Sequence, residues 1–201
     1  MKVIRFLIAF EIAMWRSLYR WIFRRPRTRT PEGVAFAYTR VVGPLLWAFI
    51  AVSAVELPVL HLLLPWHVVR LVVDIISVYG LLWMFGLMAS LKVHPHVAEE
   101  SGLRLRNGST IDIELPWDAI EAVRVRMRGL DRSKSVQYAD GVLKLVVAGR
   151  TDIEVVLTEP RVIPLPQTGG EPVSEVHFAV DEPRELARLI NANRVTASDR
   201  A

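Results

Sequence analysis

His94, His96, Glu99 and Glu100 form the only group of side chains in this sequence that suggests metal chemistry. In an extended segment the two histidines lie on the same face, and imidazole nitrogens with a carboxylate oxygen can bind a divalent metal ion. Their spacing matches no standard metal-binding motif, so they could equally be polar residues where the chain leaves a membrane. A metal-dependent membrane enzyme is therefore the third of three functions that we consider.

Other signatures of catalysis are absent from the sequence. It contains no GxSxG, HExxH, phosphate-binding loop or dinucleotide-binding motif. Because it also contains no cysteine, it has no disulfide framework, no thiolate metal site and no thiol nucleophile. The sequence therefore predicts a protein that is not an enzyme and binds no cofactor.

Two apolar stretches, residues 41–64 and 68–91, are long enough to cross a bilayer. About 20 apolar residues, at 1.5 Å of rise per residue, span the ~30 Å hydrocarbon core. Only the short linker Pro65-Trp66-His67 separates the two stretches. Residues 41–91 are therefore predicted to form a transmembrane helical hairpin.

Ionisable and small residues inside this hairpin are candidates for contacts with other integral membrane proteins. Glu56 and Asp74 share a predicted depth of roughly 10 to 12 Å below the outer surface, and Arg70 lies one helical turn from Asp74. These three could neutralise one another, or they could face a partner helix, a lipid headgroup or a proton path. Gly86 and Ser90, four residues apart, would let a second helix approach closely, either from a partner or from within the hairpin itself. We predict that the five residues form a partner-binding surface in the membrane.

The charge distribution predicts the orientation of the hairpin. Residues 1–40 contain nine basic and two acidic residues, whereas the rest of the chain contains 16 basic and 19 acidic residues. A basic segment before a first span stays in the cytoplasm, and two spans return the chain to the same side. We therefore predict a multi-pass protein of the cell inner membrane with both termini in the cytoplasm. Because the basic arm is rich in apolar residues, nucleic-acid binding is not expected.

Residues 1–30 are predicted to form a basic amphipathic helix that lies in the inner headgroup region. Glu11 interrupts the apolar run, which argues against a signal peptide. Charged residues near a helix centre would each cost about 2.5 to 3.5 kcal/mol on insertion, which argues against a third span. The candidate headgroup-binding residues of this segment are Arg5, Arg16, Arg20 and Arg24.

Residues 93–194 change to the alternation of apolar and polar residues that is typical of β-strands with one buried face. Strands are predicted at 103–106, 111–115, 123–128, 142–148, 152–157 and 174–180. Residues 131–140 and 159–172 are predicted loops. Asp181 is expected to cap a closing helix, and residues 195–201 form a tail.

One hairpin can be specified in detail. Asn107-Gly108 is a turn signal, and an odd loop of residues 107–109 keeps the leucines of one strand opposite the isoleucines of the next. The same register places Arg104 opposite Asp112. We expect the strand at 123–128 to lie beside this acidic strand.

Arg124, Arg126 and Arg128 are the candidate headgroup-binding residues of this domain. Cross-strand ion pairs with the acidic strand would neutralise them on a solvated sheet face. Without such partners, the three cations could bind anionic lipid headgroups. Both interpretations remain open at this point.

The order of these segments resembles that of the bacterial membrane-anchored PH-like domain proteins. The resemblance covers roughly residues 41–193 and rests on two spans, the segment ESGLRLRNGSTIDIELPWDAIEAVRVRMR, two more strands and the closing VDEPRELARLI helix. Its clearest pieces are the Leu115-Pro116-Trp117-Asp118 corner and the Asp181-x-Pro183 helix start. The resemblance implies a membrane α-helical hairpin followed by a cytoplasmic PH-like β-barrel or sandwich with a C-terminal helix. It also implies a scaffold or accessory role without catalytic residues.

The sequence leaves three functions open. The leading one is a non-catalytic membrane accessory or scaffold subunit whose hairpin docks on a larger membrane complex and whose C-terminal domain contacts a cytoplasmic protein. A lipid transporter is one example, since the architecture is also similar to a small accessory subunit of Mce-type lipid importers. The alternative is a module that senses anionic lipid through its arginines, and the third is the metal-dependent enzyme.

Overall fold

The protein divides into a helical unit and a β unit. The computed structural model describes residues 2–23, 33–130 and 134–198, with side chains for 10–23, 33–130 and 134–195. Within these limits the helical unit comprises residues in 1–26, 40–94 and 108–110. The β unit comprises residues in 27–39, 95–107 and 111–201.

Three helices make up most of the helical unit: α1 Lys2–Ile22, α2 Val42–Leu63 and α3 His67–Val93. By length and composition, α2 with 22 residues and α3 with 27 are long and apolar enough to cross a membrane. Residues 64–66 join them, so the connection is as short as the sequence predicts. The two predicted apolar helices are therefore confirmed.

α2 contacts α3 along one narrow stripe. The less exposed side chains of α2 recur alternately three and four residues apart, which is the spacing that keeps two helices in contact along their length. They are Gly43, Leu46, Ile50, Ser53, Leu57 and Leu60. Leu45, Val52 and Val55 are among the exposed residues on the rest of its surface. Most of the surface of α2 is therefore free of contacts with the described residues.

α1 packs lengthwise on α3, and the two helices run in the same direction. Glu11 contacts Tyr79 near one end of the contact, and Trp21 contacts Lys92 near the other. These two positions on α3 are 13 residues apart, which is about 20 Å of helix. A helix lying flat across a span would contact it over only one or two turns. The predicted helix is thus present, but its contact with α3 differs from that of the predicted interfacial helix.

The β unit contains two sheets and one long helix. The strands of the first sheet, in spatial order, are β1 Val34–Phe36, β2 His96–Glu99, β3 Gly102–Asn107 and β4 Ile111–Pro116. The second sheet has the spatial order β5-β8-β9-β7-β6. Its strands are β5 Ile120–Gly129, β6 Val136–Ala139, β7 Val142–Leu145, β8 Arg150–Val162 and β9 Pro172–Phe178, and α4 Pro183–Ser198 follows. All described pairings are antiparallel except β7 with β9.

Both sheets contribute to one hydrophobic core. Leu103 and Leu105 from the first sheet and Ile153 and Val176 from the second are fully buried in it, and α4 adds Leu186. Neither sheet closes on itself among the described strands. The predicted β domain with a closing helix is confirmed in this coarse form, whereas a closed barrel is wrong.

The first hairpin has the predicted loop length at a position one residue later. Asn107 pairs with Ile111, so the loop is 108–110 rather than 107–109. Its odd length still places Leu105 opposite an isoleucine, Ile113. The shift occurs because the strand continues through Asn107, and the left-handed backbone at φ 57° falls on the following glycine, which tolerates it.

This shift also changes the predicted ion pairs. Arg104 lies opposite Glu114 rather than Asp112, and it reaches diagonally to Asp112 with Nε–Oδ1 and Nη2–Oδ2 distances of 2.6 and 2.7 Å. The hydrogen bonds from the guanidinium to this carboxylate raise the pKa of Arg104. β5 does not lie beside β4 as predicted, because it pairs with β8 in the other sheet.

The remaining differences concern short or irregular segments. The sequence did not reveal β1, β2 and β6, and β2 is buried on both faces, so it has no alternation to detect. Residues 159–162 belong to β8 instead of a loop, and the rest of that loop is ordered by Thr168, whose hydroxyl donates to the carbonyls of Ile163 and Leu165. α4 begins at Pro183, one residue later than a cap at Asp181 would place it, and the Asp181 carboxylate accepts a hydrogen bond from the Thr39 N–H.

Gly102→Ala is expected to destabilise the β unit by about 3 kcal/mol. A Cβ atom at this position would lie 2.3 Å from the carbonyl oxygen of Leu115, in backbone that β3 and β4 pairing holds in place. Faster hydrogen exchange of β3 and β4 amides would reveal the loss. The control is Gly129→Ala, where nothing lies within 4 Å of the new atom. Equal exchange rates in the two variants would contradict the prediction.

Candidate functional site

The ionisable side chains of α2 and α3 do not form the predicted cluster. Asp74 instead contacts His61, with 2.7 Å between Oδ2 and Nδ1. The other carboxylate oxygen of Asp74 is buried and has no hydrogen-bond partner among the described residues. Arg70 is half-buried and makes no side-chain ion pair with a described residue. Asp74 therefore belongs to a contact between the two helices of the hairpin.

Glu56 lies apart from this contact. It is exposed and has neither a hydrogen bond nor an ion pair with any described residue. His61 follows five residues later, which is about 140° around a helix of 3.6 residues per turn. Glu56 therefore presents a carboxylate on a different side of α2 from the His61–Asp74 contact.

Gly86 and Ser90 serve contacts inside the helical unit. A Cβ atom on Gly86 would lie 2.7 Å from Met14 of α1, so the absence of a side chain lets α1 approach. The hydroxyl oxygen of Ser90 accepts a hydrogen bond of 3.1 Å from the backbone N–H of Ser109. Both residues are buried, so they are removed from the predicted partner-binding surface.

Sequence reasoning missed the polar contact between α1 and α3. The Tyr79 hydroxyl donates to Glu11 Oε1 at 2.5 Å. The two rings Phe10 and Trp83 lie 6.4 Å apart on the same pair of helices. A carboxylate that interrupts one apolar helix and a tyrosine inside another are the signals that could have suggested the pairing.

The basic residues predicted to bind headgroups separate into two places. On α1, Arg16 is exposed and Arg20 is half-buried, while Arg24 and the side chain of Arg5 lie outside the described residues. On β5, Arg124 and Arg126 are exposed without an ion pair to any described residue.

Arg128 differs from the other arginines of β5 because it has a buried partner. Its Nε donates to Glu154, whose side chain is 2% exposed. Glu154 also lies opposite Arg124 in the β5–β8 register. Arg128 therefore neutralises a buried carboxylate. This agrees with the interpretation that the arginines of this strand form cross-strand ion pairs, although the acidic residue lies on β8 rather than β4.

The two histidines of the candidate metal site lie in different units and make different contacts. His94 Nδ1 lies 2.9 Å from the carbonyl oxygen of Ser90 in the helical unit. His96 belongs to the β unit. No group of three His, Cys, Asp or Glu side chains that could hold a metal ion occurs among the described residues. The structure therefore adds no support to the metal-site alternative.

His96 instead connects the two sheets of the β unit. Its Nε2 donates to the carbonyl oxygen of Ala179 at 3.0 Å, and its Nδ1 accepts from the backbone N–H of Arg106 at 3.1 Å. One donor and one acceptor contact require the neutral imidazole. The backbone of the following residue is also fixed by a hydrogen bond, because the Val180 N–H donates to Asp152 Oδ2 at 3.1 Å.

The pKa of His96 is lowered from 6.5 to about 4, chiefly by burial; the hydrogen bond to Ala179 acts in the opposite direction, and the nearby charge of Arg106 adds to the lowering. The ring is 2% exposed, with the Tyr38 and Phe178 rings 4.8 and 5.1 Å away. Protonation would leave a charged imidazole in this apolar setting and remove the acceptor for Arg106 N–H. His96 is thus a structural residue of the β unit.

Comparisons with known proteins give no relative for this chain. No family model, curated protein or solved structure matches it. The resemblances to PH-like domain proteins and to Mce-type accessory subunits therefore stay predictions that rest on the sequence.

The β unit is expected to lose stability as the pH falls from about 6.5 to about 4. The unfolded chain takes up a proton on His96 in this range while the folded chain does not, so the free energy of unfolding decreases by up to about 3 kcal/mol. The free energy of unfolding of the β unit can be measured at several pH values in this range, with denaturant unfolding monitored by hydrogen exchange. His96→Gln should flatten this pH dependence, and His67→Gln, which changes an exposed histidine, should not. An unchanged pH dependence in His96→Gln would refute this interpretation.

Arg128→Ala is expected to destabilise the β unit by about 2 kcal/mol, because it leaves the buried carboxylate of Glu154 without its cation. Arg126→Ala, two residues away on the same strand, removes the same charge from an exposed position and should change stability by less than about 0.5 kcal/mol. Thermal unfolding of both variants makes the comparison. Equal destabilisation would show that the Glu154 pair has no special role.

Proposed function

We propose that this chain is a non-catalytic integral membrane subunit that docks on a larger membrane complex through the Glu56 side of α2. The observation that carries the proposal is an exposed carboxylate, without a partner among the described residues, in a helix long and apolar enough to cross a bilayer. In this proposal α2 and α3 span the cell membrane, and the β unit lies in the cytoplasm.

The energetics favour a partner at Glu56. The residue lies seven positions before the end of α2, about 10 Å along the helix. An ionisable side chain at such a depth is costly in lipid and is usually paired or neutralised inside a protein. A hydrogen-bond donor or a cation on a helix of another subunit would provide that pairing, whereas lipid chains would not.

The surface around Glu56 is suited to helix packing. Val52 precedes it by one helical turn on the same side, and Val55 lies next to it, with exposed fractions of 64% and 65%. Such large exposure of apolar side chains is ordinary in lipid, so Glu56 is the feature that marks one side of α2 as an interface. Asp74 is not part of this surface, since it contacts His61 on another side of α2.

The nature of the partner complex is a further part of the proposal. A lipid transporter fits the predicted similarity to Mce-type accessory subunits, and the β unit would then contact a cytoplasmic component. Purification of the intact chain from its native membrane in a gentle detergent, with mass spectrometry of the bound proteins, identifies the complex. Reproducible recovery of membrane subunits supports the proposal, and recovery of the chain alone contradicts it.

Glu56→Leu is expected to abolish this recovery, because it removes the exposed carboxylate from that side of the helix. Glu56→Gln keeps a hydrogen-bonding side chain of the same length, so partial recovery would indicate a hydrogen bond and complete loss would indicate a charge pair. Ala54→Leu, at an exposed position about 160° around the helix from Glu56, is the control and should recover the complex fully. Undiminished recovery with Glu56→Leu would exclude this residue from the interface.

The absence of cysteine allows a direct test of which side of α2 is covered. Val52→Cys carries a single thiol about 40° from Glu56, and Ala54→Cys carries one about 160° from it. Crosslinking in native membranes should join the Val52→Cys protein to a partner and leave the Ala54→Cys protein uncrosslinked. The reverse pattern would place the interface on the opposite side.

A further inference from the structure

We infer that the C-terminal ends of α1 and α3 together bind an anionic phospholipid headgroup through Arg20 and Lys92. The inference rests on the proposed membrane location of α2 and α3. It concerns a different surface from Glu56 and a different ligand, and nothing in the proposed docking function requires it.

The lengthwise packing of α1 brings the two cations to the same level. Trp21 lies beside Lys92, whose Nζ is 5.8 Å from the centre of the indole ring. This is cation–π distance, so the lysine is held against α1 instead of extending freely. Arg20 is adjacent to Trp21 in the sequence of α1, and Arg16 lies one helical turn before Arg20.

No described acidic residue of the helical unit lies near the C-terminal ends of α1 and α3. The unit's described acidic residues are Glu11, Glu56 and Asp74, and two of them are engaged by Tyr79 and His61. Neither Arg20 nor Lys92 forms an ion pair with any described residue. The positive charge at this end therefore has no counter-charge from the described part of the unit.

Exposed aromatic and aliphatic side chains lie close to Arg20 along α1, which favours a lipid over a soluble anion. Tyr19, Ile22 and Phe23 have exposed fractions of 55%, 63% and 57%, and the Tyr19 and Phe23 rings lie 4.5 Å apart. Aromatic rings next to basic residues are typical of the level at which headgroups meet acyl chains. A phosphate in solution would contact the cations only, whereas a phospholipid would also cover these apolar side chains.

The end of α3 is a suitable place for such a ligand. α2 begins near the same end, since the Trp47 and Phe85 rings are 6.0 Å apart. α3 continues seven residues beyond Phe85 to reach Lys92, about 10 Å further along the helix. If α2 and α3 cross the bilayer together, this distance carries Lys92 and Arg20 from the hydrocarbon edge into the headgroup layer.

The test compares anionic with zwitterionic lipid bound to the full chain. Wild-type and variant proteins are reconstituted in nanodiscs of phosphatidylcholine with a minor fraction of phosphatidylglycerol, and the lipids retained after gentle-detergent purification are counted by mass spectrometry. The variant R20Q/K92Q removes the two cations, and R184Q/R188Q removes two exposed cations from α4 as the matched control. The conservative variant R20K/K92R keeps the charge.

Each lysine or arginine near an anionic surface contributes about fivefold in affinity, so R20Q/K92Q should lower the preference for phosphatidylglycerol about 25-fold. R184Q/R188Q and R20K/K92R should keep the wild-type preference, and added inorganic phosphate should not abolish it. Circular dichroism of R20Q/K92Q confirms that its helices are intact.

Several results would overturn the inference. They are a wild-type chain without preference for phosphatidylglycerol, an undiminished preference in R20Q/K92Q, an equal loss in R184Q/R188Q, or full displacement by inorganic phosphate. Alkaline carbonate extraction of native membranes shows whether the proposed function fails together with this inference. Release of the wild-type chain from native membranes by carbonate removes both proposals, whereas retention together with any of the four results removes the lipid site alone.

Discussion

A polar group that leaves water must find a partner inside the chain, and this requirement determines where the elements of the protein meet. In the β unit, the neutral ring of His96 joins a strand of the first sheet to the segment that leaves the second. In the helical unit, Asp74 and Glu11 each find a partner on a neighbouring helix. Glu56 is the carboxylate of α2 for which the described chain provides no such partner, and for that reason it marks a surface.

The sequence predicted the elements whose pattern repeats over many residues. The two apolar helices, the longer alternating strands and the closing helix after Asp181 were all recognisable, because burial of one face or of a whole helix imposes a period. Short strands such as β2 carry no period, and no local signal states that β5 pairs with β8. The candidate site was harder still, since Asp74 meets His61 only through the relative rotation of two helices, which composition does not specify.

The position of α1 changes how the basic N-terminal segment is understood. Amphipathicity alone suggested a helix lying on the membrane surface, yet one side of α1 carries Met14 and Ser17, which are fully buried, and Gly86 provides the space for Met14. The small residue on α3 was interpreted as a contact point for a foreign helix. It is used by the chain itself, since it admits Met14 of α1.

The order of strands in the second sheet also bears on how the protein is made. β9 lies between β8 and β7, and its pairing with β7 is parallel. Until residues 172–178 leave the ribosome, the β6–β7 hairpin and the β5–β8 ribbon have no strand to join them. The core of the β unit therefore closes late in translation, after both apolar helices have emerged, and the nascent domain exposes strand edges for most of its synthesis.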